Sequence, residues 1–367
     1  MSRRKVTILC SQLTGGGVEK VMQDVANYLA EKSDLYDVTV TTLEGPDEGR
    51  ELLSKNITIK GVFRSKAAYK KWSLPWFWFK VRQLIYALIL LLKKQDILLV
   101  LKDQRYLKLG SLIRANKKIA WIHFDYEFSG IFTKKEKLFR YLKSFDKVIC
   151  VSKLVKNGVL SFVGDTGNLT VAYNPINVEG IVALSNGSVV LPSTNHKPIF
   201  VTVSRLNENK GIMTILESCK NLMKKFDFSL WIVGDGEDRG RLERYVNENG
   251  ITNVCFLGWK DNPYPYIKNA DWYVCASKNE SYGLTIYEAN IIGTPVLAGK
   301  LKVLSECANP NNIAFVDNSV AGISKGMSDI MEGKNIIEIK QDYKVLHEEF
   351  YNNRITRIEG IINDDQY

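Results

Sequence analysis

Histidine is nearly absent from this 367-residue chain: His123, His196 and His347 are the three, far apart in sequence, and no Asp-x-Asp occurs. Clustered imidazoles or paired aspartates are the usual makings of a metal centre, so a metal-independent chemistry with no cofactor is the expectation. The six cysteines (Cys10, Cys150, Cys219, Cys255, Cys275, Cys307) are scattered without a C-x-x-C pair. Most sit in apolar runs, as small hydrophobes of a reduced compartment do, and no disulfide framework is expected. Long apolar runs are missing too. The longest, Leu84 to Leu92, has nine residues between Gln83 and Lys93, about half of the roughly 20 that a spanning helix needs. Met1-Ser2-Arg3-Arg4-Lys5 leads into a short apolar run that reaches Ser11-Gln12 at once, which does not fit a secretory leader and sets the expectation of a cytoplasmic protein. Acid is also in short supply. Against 50 Lys+Arg stand 40 Asp+Glu, a formal charge of +10, which calls for an anionic partner: nucleic acid, anionic lipid and phosphorylated small molecules all qualify.

What is present is a foldable composition, with 45% hydrophobic and 25% charged residues, over a length roughly twice what one hydrophobic core serves. Two domains are expected. Val6–Cys10 reads as a strand, Thr14-Gly15-Gly16-Gly17 as a turn, and Val18, Val21, Met22, Val25, Ala26 and Leu29 as one face of a helix. Val38–Leu43 completes a β-α-β unit, and strands over Ile97–Leu101, Ile119–His123 and Lys147–Val151 extend it into a doubly wound α/β domain over residues 1–180. Residues 181–198 are polar and proline-containing and read as a linker. The pattern restarts over 199–344 with strands at Ile199–Val203, Ser229–Val233, Val254–Leu257, Trp272–Ala276 and Pro295–Ala298. Helices are expected over Ile212–Lys225, Arg239–Asn249, Tyr264–Asn269 and Thr285–Ile292, and a helical tail over about 345–367 is free to pack back on the first domain. The expected fold is α/β, with two Rossmann-like parallel sheets facing a cleft and ligands at the carboxyl ends of the strands.

Three segments carry chemistry. Gly15-Gly16-Gly17 lets a phosphate or sugar approach backbone amides at a helix N-terminus, although it is no G-x-G-x-x-G and no acidic residue ends the second strand, which disfavours a dinucleotide. A plain tight turn explains it equally well. Val203 to Gly211 ends a strand in a loop with Arg205 and, five residues on, Lys210. A guanidinium fork and an ammonium suit a diphosphate, and two solvated charges are the plain alternative. Glu280-Ser281-Tyr282-Gly283-Leu284-Thr285-Ile286-Tyr287-Glu288 follows another strand. There Gly283 permits a turn, the amides of Gly283, Leu284 and Thr285 open a helix, and Glu280 and Glu288 offer acceptors for sugar hydroxyls.

This combination resembles the retaining glycosyltransferases of the GT-B fold, specifically glycosyltransferase family 4. The resemblance rests on the Glu-x7-Glu element Glu280 to Glu288, the Arg205/Lys210 loop, Gly234-Asp235-Gly236, the Gly15–Gly17 loop and His123 closing a strand. It covers nearly the whole chain and is specific over about 199–298. It implies a nucleotide diphosphate sugar, UDP-linked in the family, held by the C-terminal domain, with Arg205 and Lys210 on the diphosphate, Glu288 on the ribose and Glu280 on the hexose. Gly16, Gly17, Tyr282, Gly283, Leu284 and Thr285 complete the donor set, and His123 contacts the transferred sugar. With no obvious enzymic nucleophile, retention fits front-face displacement. Where such enzymes often have a Gly-rich loop before a Glu, Lys300–Glu306 has none beyond Gly299, which leaves donor contacts from that loop open.

The acceptor implied is a polyprenyl-diphosphate-linked glycan, received by the N-terminal domain. Trp72, Trp76, Phe77, Trp78 and Phe79 with Lys80 form a basic, aromatic segment suited to an anionic membrane surface, and Asp125 is a candidate on the acceptor side. Such a segment also suits single-stranded nucleic acid or a domain core with solvated lysines. Residues 51–150 hold 22 Lys+Arg against 7 Asp+Glu, whereas 181–367 hold 20 against 23. The excess therefore sits away from the donor domain, at the inner face of the cell membrane on this reading, with no nucleic acid expected. Two rivals stand beside it: an epimerase or phosphorylase of the same fold, and a non-catalytic basic scaffold. The scaffold leaves the Glu280/Glu288 and Arg205/Lys210 pairs unexplained.

Overall fold

Runs of Val, Ile and Leu long enough to be buried on both faces build two all-parallel sheets, each flanked by helices. The computed structural model describes residues 3–43, 49–62, 74–101, 105–124, 134–192, 197–304, 313–334 and 342–363. Residues 1–176 with 349–367 form one unit and 177–348 the other.

The first unit runs β1 (Arg4–Cys10), α1 (Gly17–Glu31), β2 (Tyr36–Thr42), β3 (Thr58–Gly61), α2 (Leu74–Leu92), β4 (Gln95–Val100), α3 (Arg105–Leu112), β5 (Ala115–Ile122), α4 (Lys135–Lys143), β6 (Lys147–Cys150), α5 (Lys153–Val163) and β7 (Leu169–Val171). Its strand order is β3-β2-β1-β4-β5-β6-β7. Central β1 sets Val6 opposite Val38 of β2 and Ile97 of β4, and α1 lays Val21, Met22, Val25, Ala26 and Leu29 into the core.

The second unit runs α6 (Val178–Ser185), β8 (Ile199–Val203), α7 (Ile212–Leu222), β9 (Ser229–Val233), α8 (Arg239–Glu248), β10 (Val254–Gly258), α9 (Tyr264–Lys268), β11 (Trp272–Cys275), α10 (Leu284–Ile292), β12 (Val296–Gly299), β13 (Ile313–Val316), α11 (Val320–Met331) and α12 (Tyr343–His347). Its order is β10-β9-β8-β11-β12-β13. Helices α7, α8 and α11 pack together in one layer and α6, α9 and α10 in another. Phe200, Leu230, Ile232, Val274 and Leu297 of the sheet meet Leu216, Ile323 and Met327 in one core.

The structure departs from the sequence reading in two respects. β3, β7, β13 and helix α11 were not anticipated; the three strands lie at sheet edges and are only three or four residues long, too short for their pattern to stand out. The connector expected at 181–198 begins inside α6. Asn177 caps that helix by accepting from the Gly180 amide at 2.9 Å, and Val178, Ile181 and Ser185 are buried, so only its later part connects α6 to β8.

The last helix, α13 (Asn353–Asn363), returns to the first unit. Glu359 accepts from Lys32 and, at 2.8 Å, from the Tyr28 hydroxyl; the Tyr36 hydroxyl stands 3.1 Å away. Arg4 donates to Asn363 at 2.6 Å. Burial works to raise the Glu359 carboxyl, but the hydrogen bonds from Lys32, Tyr28 and Tyr36 and the Lys32 charge overcome it and hold it below the usual range. A lowered carboxyl contributes stability that is fully present above its unfolded value, about 4.3, and lost as pH falls through the folded value. Glu359→Gln should therefore lower the Tm at neutral pH, and the gap to wild type should close as pH drops below about 4; a pH-independent gap in thermal melts would show that the charge is not what matters.

Candidate active site

In a doubly wound sheet the loops diverge where the strand order reverses, and a crevice opens at the strand C-termini. In the second unit that point lies between β8 and β11. The loop after β8 is the one that carries Arg205 and Lys210, and the loop after β11 is the one that carries Glu280. α7 then leads into one helix layer and α10 into the other.

The two loops are fastened to each other. Lys210 Nζ donates to Glu280 Oε1 at 2.5 Å, with the two side chains 25% and 14% exposed. The Lys278 amide donates to the Asn209 carbonyl at 2.7 Å, the Asn209 side chain donates to the Asn279 carbonyl at 3.0 Å, and Lys278 pairs with Glu208 at 2.6 Å. Gly211 has φ 64, and a Cβ there would stand 1.9 Å from the Ala276 carbonyl oxygen, so only glycine allows this approach. The loop after β9 joins on the other side: the Leu206 amide donates to the Asp235 carbonyl at 2.9 Å, and the Asp238 amide to Leu206 O at 3.1 Å. A Cβ on Gly234, at φ 137, would lie 1.9 Å from Ser204 O. The amide of Gly236, donating to the Asp235 carboxylate, and the Arg239 guanidinium hold that carboxyl below its ordinary range. Arg205 is exposed and has no ion-pair partner among the described residues.

Glu280 is also supported from beneath. Ser277 Oγ donates to Glu280 Oε1 at 2.8 Å, and Asn318 Nδ2 donates to the Ser277 carbonyl at 2.7 Å. Tyr273 bridges the base of the crevice: its hydroxyl donates to Val203 O at 3.1 Å and bonds Thr285. Burial, reinforced by Cys275 and the charge of Glu280, drives its phenol well above the ordinary range, so it stays a donor. Gly283 caps α10 in the left-handed region at φ 83. The amides of Leu284 and Thr285 thus open the helix, with its positive end, beside Glu280. Glu288 is buried one turn further on, and Tyr264 donates to its Oε1 at 3.2 Å. The Tyr282 ring is buried against Tyr287, with centroids 5.2 Å apart.

The structure thus gathers Arg205, Lys210, Glu280, Gly283, Leu284 and Thr285 on the loops of one switch point, and ties Glu288 to Tyr264 on α9. Ser277, Asn318, Tyr264 and Tyr273 escaped the sequence reading. A serine three residues before Glu280 was a usable signal; Asn318 and Tyr264 come from other crossovers and had none. A recess of about 210 Å³ beside the Asn207–Gly211 loop is lined by Glu208, Glu217, Asp238, Arg241 and Lys278 among others, and by none of Arg205, Lys210, Glu280 or Glu288.

In the first unit the corresponding switch point lies between β1 and β4, and the Gly15–Gly17 turn follows β1. Gly16 is extended at φ 178 and Gly17 begins α1. A buried carboxylate, Glu19, already sits in that first turn, bonded to Ser11 at 3.3 Å. His123 directly follows β5, buried and stacked on Trp121 at 5.7 Å. The aromatic cluster divides: Phe79 is buried, while Phe77 and Trp78 are exposed on α2 beside Lys80. Trp72 and Asp125, the side chain of Trp76, and Ser305 and Glu306 of the Lys300–Glu306 loop lie outside the described residues.

The sequence profile of glycosyltransferase family 4 matches residues 15–179, and that of glycosyl transferases group 1 matches residues 188–344. Similar proteins include a lipopolysaccharide core biosynthesis glycosyltransferase, LpsE, of Rhizobium meliloti, 28% identical over 43% of this chain and 45% of its own. A lipopolysaccharide 1,6-galactosyltransferase of Salmonella typhimurium is 25% identical over 57% and 61%. The matches thus span about half the length of these curated relatives. Among solved structures, HepE of Anabaena in complex with UDP and glucose superposes with a TM-score of 0.77 at 16% identity, over 98% of this chain and 100% of its own. Adjoining profile matches over most of the chain and two Rossmann-like parallel-sheet domains lead to one conclusion: the chain belongs to glycosyltransferase family 4, with the GT-B fold.

Proposed function

We propose that this chain transfers a hexose or N-acetylhexosamine, with retention, from a nucleotide diphosphate sugar to a lipid-linked glycan in surface-polysaccharide synthesis. The observation that carries the reading is the Lys210–Glu280 pair at the second unit's switch point, with the exposed Arg205 on the same loop. A diphosphate needs cations and amide donors, and a sugar needs hydroxyl acceptors; these loops hold both within one small region. Arg205, Lys210 and the amides at the start of α10 take the diphosphate. Glu280 accepts from the hexose and Glu288 from the ribose. His123 is assigned to the transferred sugar and Gly16 and Gly17 to the donor, as the family resemblance implies. The lipopolysaccharide enzymes among the relatives support a polysaccharide product, and the UDP complex of HepE supports a UDP-sugar.

As the glycosidic C–O bond breaks, its electron pair leaves with the diphosphate, and the acceptor hydroxyl adds on the same face. The hydroxyl proton passes to a leaving phosphate oxygen, so no enzymic nucleophile is needed. The growing negative charge is met by fixed groups, Arg205, Lys210 and the α10 amides, without a metal ion. This is preorganised electrostatic stabilisation. The polyprenyl diphosphate acceptor places the protein on the inner face of the cell membrane, with the basic first unit receiving it.

Lys210→Ala and Glu280→Ala should each lower turnover at least about a hundredfold, the scale of losing one electrostatic stabiliser; near-wild-type transfer by either variant removes its assigned role. In calorimetric titrations against UDP, GDP and ADP, one nucleotide should bind the wild type and Arg205→Ala should weaken it at least about tenfold, as expected of a charge-assisted bidentate contact. No binding of any of the three would sink the donor assignment.

A further inference from the structure

A helix lying on a sheet buries one stripe and normally gives polar residues to water on the other. α2 is apolar on both sides. Its inner stripe is set by Phe79, Gln83, Tyr86 and Leu90, spaced four, three and four residues apart on one face. Phe79 packs with Val62 and Tyr86, Gln83 donates to the Leu43 carbonyl, and Leu90 is buried. The opposite stripe carries Trp78, Leu84, Ile85, Leu88 and Leu92, which are 50–76% exposed, and Phe77 at 55%. From Phe77 to Leu92 it runs roughly 22 Å at 1.5 Å per residue. An apolar surface of this length on a folded domain marks a binding face.

The charges at its border say what covers it. Residues 74–94 contain no Asp or Glu, and Arg82, Lys93 and Lys94 stand exposed at the edge and end of the stripe. They belong to the segment 51–150 with 22 Lys+Arg against 7 Asp+Glu. Two copies of this face would bring like charges together, whereas an anionic bilayer attracts them and accepts the apolar side chains. Among the described residues no helix is long and apolar enough to cross a membrane, and the inner stripe of α2 is already fastened to the first unit. We propose that α2 lies in the plane of an anionic lipid bilayer, with Trp78, Leu84, Ile85, Leu88 and Leu92 below the headgroups and Arg82, Lys93 and Lys94 among them. The Leu84–Leu92 run, too short to span, has the length and placement of an interfacial anchor. The inference rests on the lipid-linked acceptor of the proposed function for its purpose, but vesicle binding is measured apart from transfer.

The test is flotation of the full chain with phosphatidylglycerol-containing and with pure phosphatidylcholine vesicles at physiological salt. The wild type should float with the anionic vesicles. Ile85→Glu/Leu88→Glu and, separately, Arg82→Glu/Lys93→Glu should each reduce that association at least about tenfold, while keeping the wild-type Tm and UDP affinity. The inference is overturned if the wild type stays unbound, if it binds both vesicle types equally, or if both variants bind as the wild type does. It is also overturned if the wild type forms a dimer that Ile85→Glu/Leu88→Glu dissolves and no vesicle association occurs, since a second copy then covers the stripe. Anionic-vesicle binding by a protein that binds no nucleotide would refute the transferase reading and leave this one standing.

Discussion

A parallel strand cannot follow its predecessor without a crossover, and crossovers of one hand force the chain to reverse its direction of travel if both sides of the first strand are to be used. Both sheets do this once, at β1/β4 and at β8/β11. Everything that reads as chemistry in the second unit hangs on the second reversal. β8 and β11 are neighbours, yet α7 and α10 leave them for opposite helix layers, so the loops carrying Lys210 and Glu280 part above the sheet while their roots stay one strand spacing apart. The 2.5 Å contact between those side chains is possible only because of that geometry.

Glycine at three loop roots then draws the polypeptide close enough to matter. Gly211 against Ala276, Gly234 against Ser204 and Gly236 against Leu206 leave no room for a Cβ, and the backbone hydrogen bonds they permit fix the loops before any ligand arrives. Preorganisation of this kind removes the reorganisation that a flexible loop would undergo on binding. The Lys210–Glu280 pair is part of it: each side chain is held by the other, and Ser277 and Asn318 brace the carboxylate from the sheet side. On the proposed assignment, a diphosphate sugar would meet Lys210 and Glu280 already in place.

The first unit is built by the same rule but spends its surface differently. At its switch point a buried carboxylate, Glu19, lies in the first turn of α1, at the positive end of that helix. Its distinguishing feature is instead the outward apolar stripe of α2 within a strongly basic segment. The return of α13 onto Tyr28, Lys32 and Tyr36 ties the chain's last helix to its first elements.

Local pattern was enough for much of this. Apolar runs and glycine positions located the central strands and most of the helices around the second sheet, because strands buried on both faces must be continuously hydrophobic; residue types singled out Arg205, Lys210, Glu280 and Glu288 as candidates, and the structure sets them around one switch point. Edge strands β3, β7 and β13 stayed hidden because three or four residues are too few for a pattern to stand out, and α6 was passed over because its eight residues run directly into the polar stretch that follows. Tertiary structure alone decided that Lys210 and Glu280, seventy residues apart, are one ion pair, that Tyr264 and Asn318 support the carboxylates, and that the apolar face of α2 points outward. The reason is the same in each case. Side-chain type and periodicity are local properties, whereas partners across a parallel sheet are set by strand order, and strand order is written in the crossovers between the runs.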